Sequence, residues 1–200
     1  MSVRIGSGSE TTEAMLAPHE QVRGEVLREG ERVKVYVVEV RRSTRGPQVL
    51  ISRTHPGLVR RLFELEVPEI AEGIVEVKSI AREAGSRTKM AVWSADDQID
   101  PVGACVGPRG GRVAAIVEEL GGEKIDIIPY SEDPAAYIAA ALAPAQVVQV
   151  NLAGDEKNCQ VVVPDDQLSL AIGKEGQNAR LAARLTGYKI DIGPLSAANS

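Results

Sequence analysis

Two short glycine loops carry the residue types best suited to chemistry in this chain of 200 residues. Both have the pattern G-x-x-G: residues 107–110 are the first loop, and residues 173–176 are the second loop. Glycine has no Cβ, so a ligand can approach the backbone of such a loop closely. A predicted helix start after each loop, with Arg109 in one loop and Lys174 in the other, favours negative charge. The loops therefore indicate contact with a phosphate-bearing chain.

The surroundings of the two loops are matched. Each loop follows a short apolar stretch and precedes a helical pattern, which ends in Lys-Ile-Asp-Ile at 124–127 or 189–192. One G-x-x-G taken alone has an equally good interpretation as ordinary glycines between two helices, and that alternative stays open for either loop. The repetition indicates a duplicated module. A P-loop for nucleoside triphosphates is excluded, because G-x-x-x-x-G-K-[ST] is absent from both loops.

Composition limits the possible partners and compartments. The sequence is 44% hydrophobic and 3% aromatic, and its formal net charge is −5. It has neither an apolar run long enough to span a membrane nor a signal-peptide pattern, so we expect a cytoplasmic protein without membrane contact. Cys105 and Cys159 are expected to be buried free thiols. No metal ligand cluster or cofactor motif occurs, and we expect neither a metal nor a cofactor.

The charge distribution excludes a protein that coats nucleic acid non-specifically. Residues 1–55 have nine basic and seven acidic side chains, and no segment is a basic block. RNA binding would therefore depend on locally placed cations, which predicts selective binding of modest affinity to a short strand. These cations are Arg109, Arg112, Lys174, Arg180 and Arg184.

Hydrophobic periodicity and turn residues divide the chain into four parts. Residues 1–55 are predicted to form a small antiparallel unit, with strands at 33–42 and 48–53. Residues 56–131 contain a linker helix and then the first α-β-β-α-α-β module, whose first strand is predicted at 73–81. Residues 132–194 form the second module, with its first strand at 145–152, and residues 195–200 are predicted to be a disordered tail.

A G-x-x-G between the second and third helices of such a module resembles the prokaryotic, type II, KH domain. From about residue 3 to residue 192 the chain resembles the NusA family of bacterial transcription termination/antitermination factors. The resemblance is strongest in the segments 51–57, 62–70, 100–107 and 169–174. It implies an α+β multi-domain fold, in which a truncated OB-fold β-barrel precedes two tandem type II KH domains.

The resemblance also implies a function. It suggests a non-catalytic, single-stranded RNA-binding region that binds the nascent transcript. It implies docking on RNA polymerase beside other Nus-type factors and modulation of pausing, termination and antitermination, and we expect a monomer. The family's first barrel strand and its preceding polymerase-binding domain have no counterpart in this sequence. We therefore expect an incomplete chain with a barrel that is open at one edge.

The candidate RNA-binding residues lie in the loops and at the helix starts beside them. They are Val106, Gly107, Pro108, Arg109, Gly110, Arg112, Gly173, Lys174, Glu175, Gly176, Gln177, Asn178 and Arg180. Polar residues at a helix start are expected to have little packing role. Because the Glu175 carboxylate opposes a phosphate, the second loop is expected to contribute less affinity than the first.

Unstacked bases are expected in an apolar groove beside each loop, since few aromatic residues are present for stacking. Its predicted lining is Val106, Val113 and Ile127 in the first module and Ile172, Leu181 and Ile192 in the second. Plain core packing is the alternative for each of these six residues. For Lys78, Arg82 and Lys89 a solvated face is predicted, and for His55 a structural role in a turn.

Two other classes of protein compete with this interpretation. RNA-degrading phosphorolytic enzymes also combine KH and OB modules, but in the reverse order and with a catalytic core for which this chain has no room. Only His19 and His55 are available as histidines, and no paired carboxylates or Cys/His cluster indicates hydrolysis. A ribosomal or assembly protein that uses the KH fold as a protein interface stays an alternative, because the chain is acidic.

Overall fold

The computed structural model of this protein describes residues 1–198. Its first unit is a four-stranded sheet of two antiparallel hairpins, in the order β1-β2-β4-β3. The strands are β1 (Ser2–Ser7), β2 (Glu10–Leu16), β3 (Tyr36–Ser43) and β4 (Gly46–Ser52). The central strands β2 and β4 run parallel, and the small core lies mainly on them. Among the described residues β1 and β3 are free edges, which agrees with an incomplete barrel.

The strand predicted at 33–42 begins only at Tyr36 and extends to Ser43. The preceding backbone is bound by side chains instead of a neighbouring strand. The N–H of Lys34 donates to Glu119 Oε1 at 2.6 Å, and its carbonyl accepts from Arg53 Nη1 at 2.8 Å. This segment therefore belongs to the junction between the sheet and the next unit.

The junction also includes the start of helix α1 (Pro56–Glu66). His55 Nδ1 accepts a hydrogen bond from the N–H of Gly57 at 2.8 Å, and Pro56 occupies the first helical position, where a missing N–H costs nothing. The predicted structural role of His55 in the turn is thus confirmed. One face of α1 is buried through Leu58, Val59, Leu62 and Phe63.

Two units of the same topology follow, and they confirm the predicted tandem type II KH architecture. After α1 and the short helix α2 (Pro68–Ala71), the first KH unit continues with β5 (Glu76–Glu83), β6 (Arg87–Trp93), α3 (Pro101–Val106), α4 (Gly111–Glu119) and β7 (Lys124–Pro129). The second KH unit has α5 (Pro134–Ala141), β8 (Gln149–Leu152), β9 (Asn158–Val163), α6 (Leu168–Ile172), α7 (Gln177–Thr186) and β10 (Lys189–Pro194). In each unit the last strand is parallel to the middle one and lies at the sheet edge.

The first strand of each KH unit is shorter at its start than predicted. The strand expected at 73–81 begins at Glu76, because residues before it close helix α2: the N–H groups of Ile74 and Val75 both donate to Glu69 O at 2.9 Å. The strand expected at 145–152 begins at Gln149. Upstream of it, the buried Ala145 packs into the core of the second unit instead of pairing with a strand.

The two KH units share one hydrophobic core. The face of the first sheet that points away from its own helices contributes Ala81, Ala91 and Ile128. These residues pack in the same cluster as side chains of the second unit, including Tyr137 and Leu185. The opposite face of the first sheet packs on α1, α3 and α4 through a separate cluster. The sheet β5-β6-β7 is therefore covered on both faces, and the second unit provides one of the covers.

The expected disordered tail differs from the structure over residues 195–198. These residues form the helical turn α8 (Leu195–Ala198), and the N–H of Ser196 donates to Asp165 Oδ1 at 3.0 Å. The remaining two positions of that predicted tail, 199 and 200, lie outside the described residues.

Candidate RNA-binding loops

The two loops have almost the same backbone conformation. The first glycine has φ 76° and ψ 172° at Gly107 and φ 80° and ψ 170° at Gly173. The second glycine has φ 72° and ψ 15° at Gly110 and φ 75° and ψ 12° at Gly176. In both loops the N–H of the second glycine donates to the carbonyl of the first at 3.1 Å. The repeated sequence thus produces a repeated shape.

The two glycines of each loop are required for different reasons. A Cβ on Gly107 would lie 2.5 Å from Arg112 Cγ, and one on Gly173 would lie 2.7 Å from the backbone nitrogen of Asn178. At Gly110 the left-handed φ is the sole demand, because no heavy atom lies within 4 Å of the position of a Cβ. The first glycine is thus packed against the following helix, whereas Gly110 faces open space and a Cβ on Gly176 would meet only Arg180 Nη1, at 3.8 Å.

The third residue of each loop has an uncommon conformation. Arg109 has φ 55° and Glu175 has φ 57°, and these are the only residues other than glycine with positive φ among positions 1–198. Such a conformation costs of order 1–3 kcal/mol and tends to persist where a site needs it. The Arg109 and Lys174 side chains are exposed, and neither has a hydrogen-bond or ion-pair partner within the described chain.

Each loop leads directly into the N-terminus of a helix of nine or ten residues, α4 or α7. In the described part of the chain, no side chain caps the first turn of either helix. The first N–H of each helix already donates within the loop, from Gly111 to Pro108 O and from Gln177 to Lys174 O. The positive end of each helix dipole therefore lies beside an exposed cation and the second glycine of the loop. This combination can bind a phosphate group of a chain that approaches along the loop.

Two of the predicted contact residues are instead built into the fold. Arg112 Nη1 donates to Ala104 O at 2.7 Å and to Glu69 Oε2 at 2.9 Å. Asn178 is only 2% exposed, and its Nδ2 donates to Leu142 O at 3.0 Å and to Ala171 O at 2.9 Å. The expectation that helix-start residues have little packing role is wrong for both of these residues. They hold together the two helices on either side of each loop.

Gln177 and Arg180 extend toward the first KH unit. Gln177 Nε2 donates to Ser86 Oγ at 2.7 Å. Arg180 donates to both carboxylate oxygens of Glu83, at 2.7 Å and 2.9 Å, and its Nη1 donates to Glu175 O at 2.9 Å. The hydrogen bonds from Arg180 hold the pKa of the Glu83 carboxyl below its ordinary value. These two side chains thus connect the second loop to the turn between β5 and β6.

The apolar strip beside each loop is only partly as predicted. Helix α3 packs against β7, and α6 packs against β10, so each edge strand lies next to the helix that precedes its loop. Val106, Val113, Ile127 and Ile192 are half-buried there, and Ile172 is 38% exposed. Leu181 is fully buried in the core that the two units share. Its proposed place in the groove is therefore wrong, and core packing is the correct interpretation.

Both KH units match known family models. Residues 53–130 match the NusA-like first KH domain, and residues 134–200 match the NusA-like second KH domain. The chain belongs to the NusA family.

Three relatives, each named transcription termination/antitermination protein NusA, are similar along most of this chain. The protein of Halalkalibacterium halodurans is 62% identical over 180 residues, which are 90% of this chain and 47% of the relative. That of Bacillus subtilis is 58% identical over 90% of this chain and 48% of the relative. That of Mycobacterium tuberculosis is 56% identical over 95% of this chain and 55% of the relative. The chain thus spans about half the length of the curated relatives that it matches.

In this NusA-family chain, one arginine and one lysine side chain that were predicted to be solvated are buried. The Arg82 side chain is 1% exposed and donates to the fully buried Glu123 at 3.0 Å. The Lys89 side chain is fully buried, and its Nζ donates to Asp126 Oδ2 at 2.9 Å and to Ala143 O at 2.8 Å. Desolvation lowers the pKa of Lys89. The prediction was wrong for both, because Glu123 and the His55 carbonyl at the junction bind Arg82, and the Ala143 carbonyl of the second unit meets Lys89.

Lys78, the third residue of that group, lies with its Nζ 4.5 Å from the centre of the Trp93 ring. Its side chain is 34% exposed, so it is partly solvated as predicted.

Glu83 and Ser86 of the first unit, which bind Arg180 and Gln177 beside the second NusA-type loop, were not predicted as partners. The signal available in the sequence was their place in a turn of the first module, but nothing in the order of residues shows that this turn faces α7.

Both cysteines are buried, as expected, and burial raises the pKa of the Cys105 thiol to about 12.

Residues 1–198 contain no group of three or more His, Cys, Asp or Glu side chains placed to hold a metal ion. No helix of that range is long and apolar enough to cross a membrane.

Proposed function

We propose that this chain is the single-stranded RNA-binding region of a transcription elongation factor that modulates pausing, termination and antitermination by RNA polymerase. One observation carries the proposal: the two loops repeat one strained backbone, and each presents a free cation at an uncapped helix start. The names of the relatives, transcription termination/antitermination protein NusA, support the part of the proposal that concerns transcription. RNA polymerase and other Nus-type factors are the proposed protein partners.

The loops would hold the RNA backbone, and the bases would lie in the apolar strip beside them. We assign direct phosphate contact to the backbone of the two loops and to Arg109 and Lys174. Val106 would touch the first unstacked base. Gln177 and Arg180 would act from the interface between the KH units, and Arg112 and Asn178 would act by holding the helices. The assigned role is binding without catalysis, by a cytoplasmic monomer.

The test is the binding of an unstructured RNA of about ten nucleotides, measured by fluorescence anisotropy across a salt series. Substitutions of the loop glycines are poor probes, because a Cβ at Gly107 or Gly173 collides with the following helix. The central residues are exposed and suit the purpose better. Pro108→Asp with Arg109→Asp makes the first-loop variant, and Lys174→Asp with Glu175→Asp makes the second-loop variant. Aspartate tolerates the left-handed conformation that the third position requires.

Each variant is expected to weaken RNA binding at least about fivefold at low salt, because a carboxylate replaces the cation that meets phosphates, Arg109 or Lys174. The wild-type affinity should fall as salt rises, with a slope of about −0.7 per phosphate contact on a single strand. The same oligonucleotide made of DNA tests for recognition of a 2′-hydroxyl. If the chain were a KH-based assembly protein, the wild type would bind RNA no better than either loop variant. That result would overturn the proposal. A pause-site transcription assay with RNA polymerase tests the second half of it.

A further inference from the structure

Within residues 1–198, the second loop is linked through hydrogen bonds of Arg180 to the other KH unit, whereas the first loop has no such link. Arg180 lies five residues after Glu175, in the first turns of α7. Its Nη1 binds the carbonyl of Glu175, while Nε and Nη2 bind the two oxygens of Glu83 in the first KH unit. The corresponding residue of the first unit, five positions after Arg109, is the exposed Ala114. A methyl group cannot supply such a link.

The geometry of this link is that of a two-sided clamp. A guanidinium is planar and donates in fixed directions, so two hydrogen bonds to one carboxylate determine where its remaining nitrogen points. Here that nitrogen meets the carbonyl of the one residue in the second loop that has an unfavourable left-handed φ without being glycine. The carboxylate that orients the guanidinium belongs to β5 of the other unit.

A second bond supports the same connection. Gln177, the first residue of α7, donates to Ser86 in the turn that follows Glu83. Arg184, one turn further along α7, lies 4.0 Å from Glu83 Oε2. Glu83 therefore faces two arginines of α7, and Arg180 is the one that also reaches the loop.

We infer that Glu83 and Arg180 are positioning residues for RNA binding at the second loop, and that this loop is preorganised by the neighbouring KH unit. The inference rests on the proposed function, since it concerns how the second loop meets a phosphate. Glu83 itself touches no ligand; it aims Arg180 at the Glu175 carbonyl. RNA affinity at the second loop then depends on a residue of the first unit, whereas affinity at the first loop does not depend on the second.

This role makes a prediction opposite to that of direct contact. If Arg180 acted by touching phosphates, Glu83→Gln would release its guanidinium and strengthen RNA binding. If Arg180 acts by holding the loop, Glu83→Gln weakens binding. Arg180→Lys separates the roles further: a lysine keeps the charge, but one ammonium group cannot reproduce the planar fork that joins the carboxylate to the carbonyl.

The RNA experiment uses the loop variants as backgrounds. In the first-loop variant, where the second loop supplies the remaining affinity, Glu83→Gln and Arg180→Lys should each weaken binding of the ten-nucleotide RNA by about three- to tenfold. In the second-loop variant the same substitutions should change binding by less than about twofold. Glu76→Gln, which removes an exposed carboxylate at the other end of β5, is the matched control and should have no effect in either background.

A second measurement needs no RNA. Amide hydrogen exchange followed by NMR should become about fivefold faster at residues 175–177 in Glu83→Gln and Arg180→Lys, and stay unchanged at residues 109–111. A general loss of stability would accelerate exchange in both loops alike and would overturn the inference. Tighter or unchanged RNA binding by Glu83→Gln in the first-loop variant would also overturn it. If neither loop variant affects RNA binding at all, the proposed function fails and the RNA role of the clamp fails with it, while the exchange data still decide whether the clamp exists.

Discussion

The two KH units reach the same loop backbone by different chemistry. At the position five residues after the first glycine, the first unit has Arg112, a partly exposed cation, and the second has Asn178, a buried amide. Both donate to carbonyls near the end of the helix before the loop, and both block a Cβ on the first glycine. One backbone shape is thus compatible with two side-chain solutions, so the loop shape itself is the common feature.

The outer faces of the two sheets differ more strongly. In the first unit that face is buried against α5 and α7, and its Asp126 is bound by Arg87 at 2.8 Å and by the buried Lys89. In the second unit the corresponding Asp191, in the same Lys-Ile-Asp-Ile motif, is exposed. The aspartate of one identical motif is therefore part of a buried ion pair in the first unit and lies on the surface in the second. The motif therefore predicts the strand but not the surroundings of its residues.

The largest expected loss of stability comes from changing a leucine of helix α7 that is buried in the core shared by the two KH units. Leu181→Ala should lower the free energy of unfolding by about 3–4 kcal/mol, because a fully buried leucine leaves a cavity. Leu170→Ala, at a leucine that is 43% exposed, should cost less than about 1 kcal/mol. Urea denaturation followed by circular dichroism measures both. Equal losses would show that the shared core is not formed in solution.

The aspartates of the repeated motif provide the next comparison. Asp126→Asn should destabilise the protein by about 3 kcal/mol, since it leaves Lys89 buried without its counter-charge. Asp191→Asn should change stability by no more than about 0.5 kcal/mol. Thermal unfolding of both variants is the measurement. A small effect at Asp126 would mean that water reaches Lys89 when the two units separate.

The same aspartate predicts a pH dependence. Burial opposes the charge of Asp126, but the hydrogen bonds from Arg87 and Lys89 outweigh it and lower its pKa. A carboxyl with a lowered folded pKa stabilises above its unfolded pKa, about 3.9, and this contribution is lost as pH falls through the folded value. Wild-type stability should therefore decline below about pH 4 more steeply than that of Asp126→Asn. Parallel declines would contradict the assignment.

Loss of the two helix-holding side chains should have intermediate effects. Asn178→Ala is expected to cost about 2 kcal/mol, because it leaves the carbonyls of Leu142 and Ala171 without their donor. Arg112→Ala should cost about 1 kcal/mol, since its partners are closer to solvent. Denaturation midpoints test the order. If Arg112→Ala proved the more damaging, the partly exposed contact to Glu69 would be stronger than its surroundings suggest.

The smallest effects concern charge at the loops. Arg109→Ala should weaken RNA binding more than Lys174→Ala, by about fivefold against about threefold, because Glu175 already offsets Lys174. Each substitution should reduce the salt slope by about 0.7.

Glu175→Gln should strengthen RNA binding by about twofold at low salt, since it removes a carboxylate beside the phosphate. The gain should disappear at high salt, where charges on exposed groups are screened. Anisotropy titrations at two salt concentrations suffice. If binding weakens instead, the carboxylate of Glu175 contributes to the RNA contact.

The sequence predicted most of the elements that carry the site. Periodicity and turn residues located both loops, the helices after them and the strands at 124–129 and 188–192, because these depend on local backbone preferences and nearby apolar faces. It did not predict helix α2 or the late start of β5, where the Glu69 carbonyl of α2 binds the N–H groups of Ile74 and Val75 and so competes with strand pairing. It also misjudged Leu181, Asn178, Arg82 and Lys89, whose surroundings come from distant segments.

By itself the sequence determined that this protein contains one module twice, and that each copy has a glycine loop at the start of a helix. Glycine positions and periodicity are local properties, and local properties can be read along the chain. Only the tertiary structure decided which cations stay free. Arg109 and Lys174 point to solvent, while Arg112 is bound by Glu69 of its own unit. Arg180 and Lys89 are bound because packing of the second KH unit against the first brings the Glu83 carboxylate to Arg180 and the Ala143 carbonyl to Lys89. Such partners are far away in sequence, and no pattern along the chain records them.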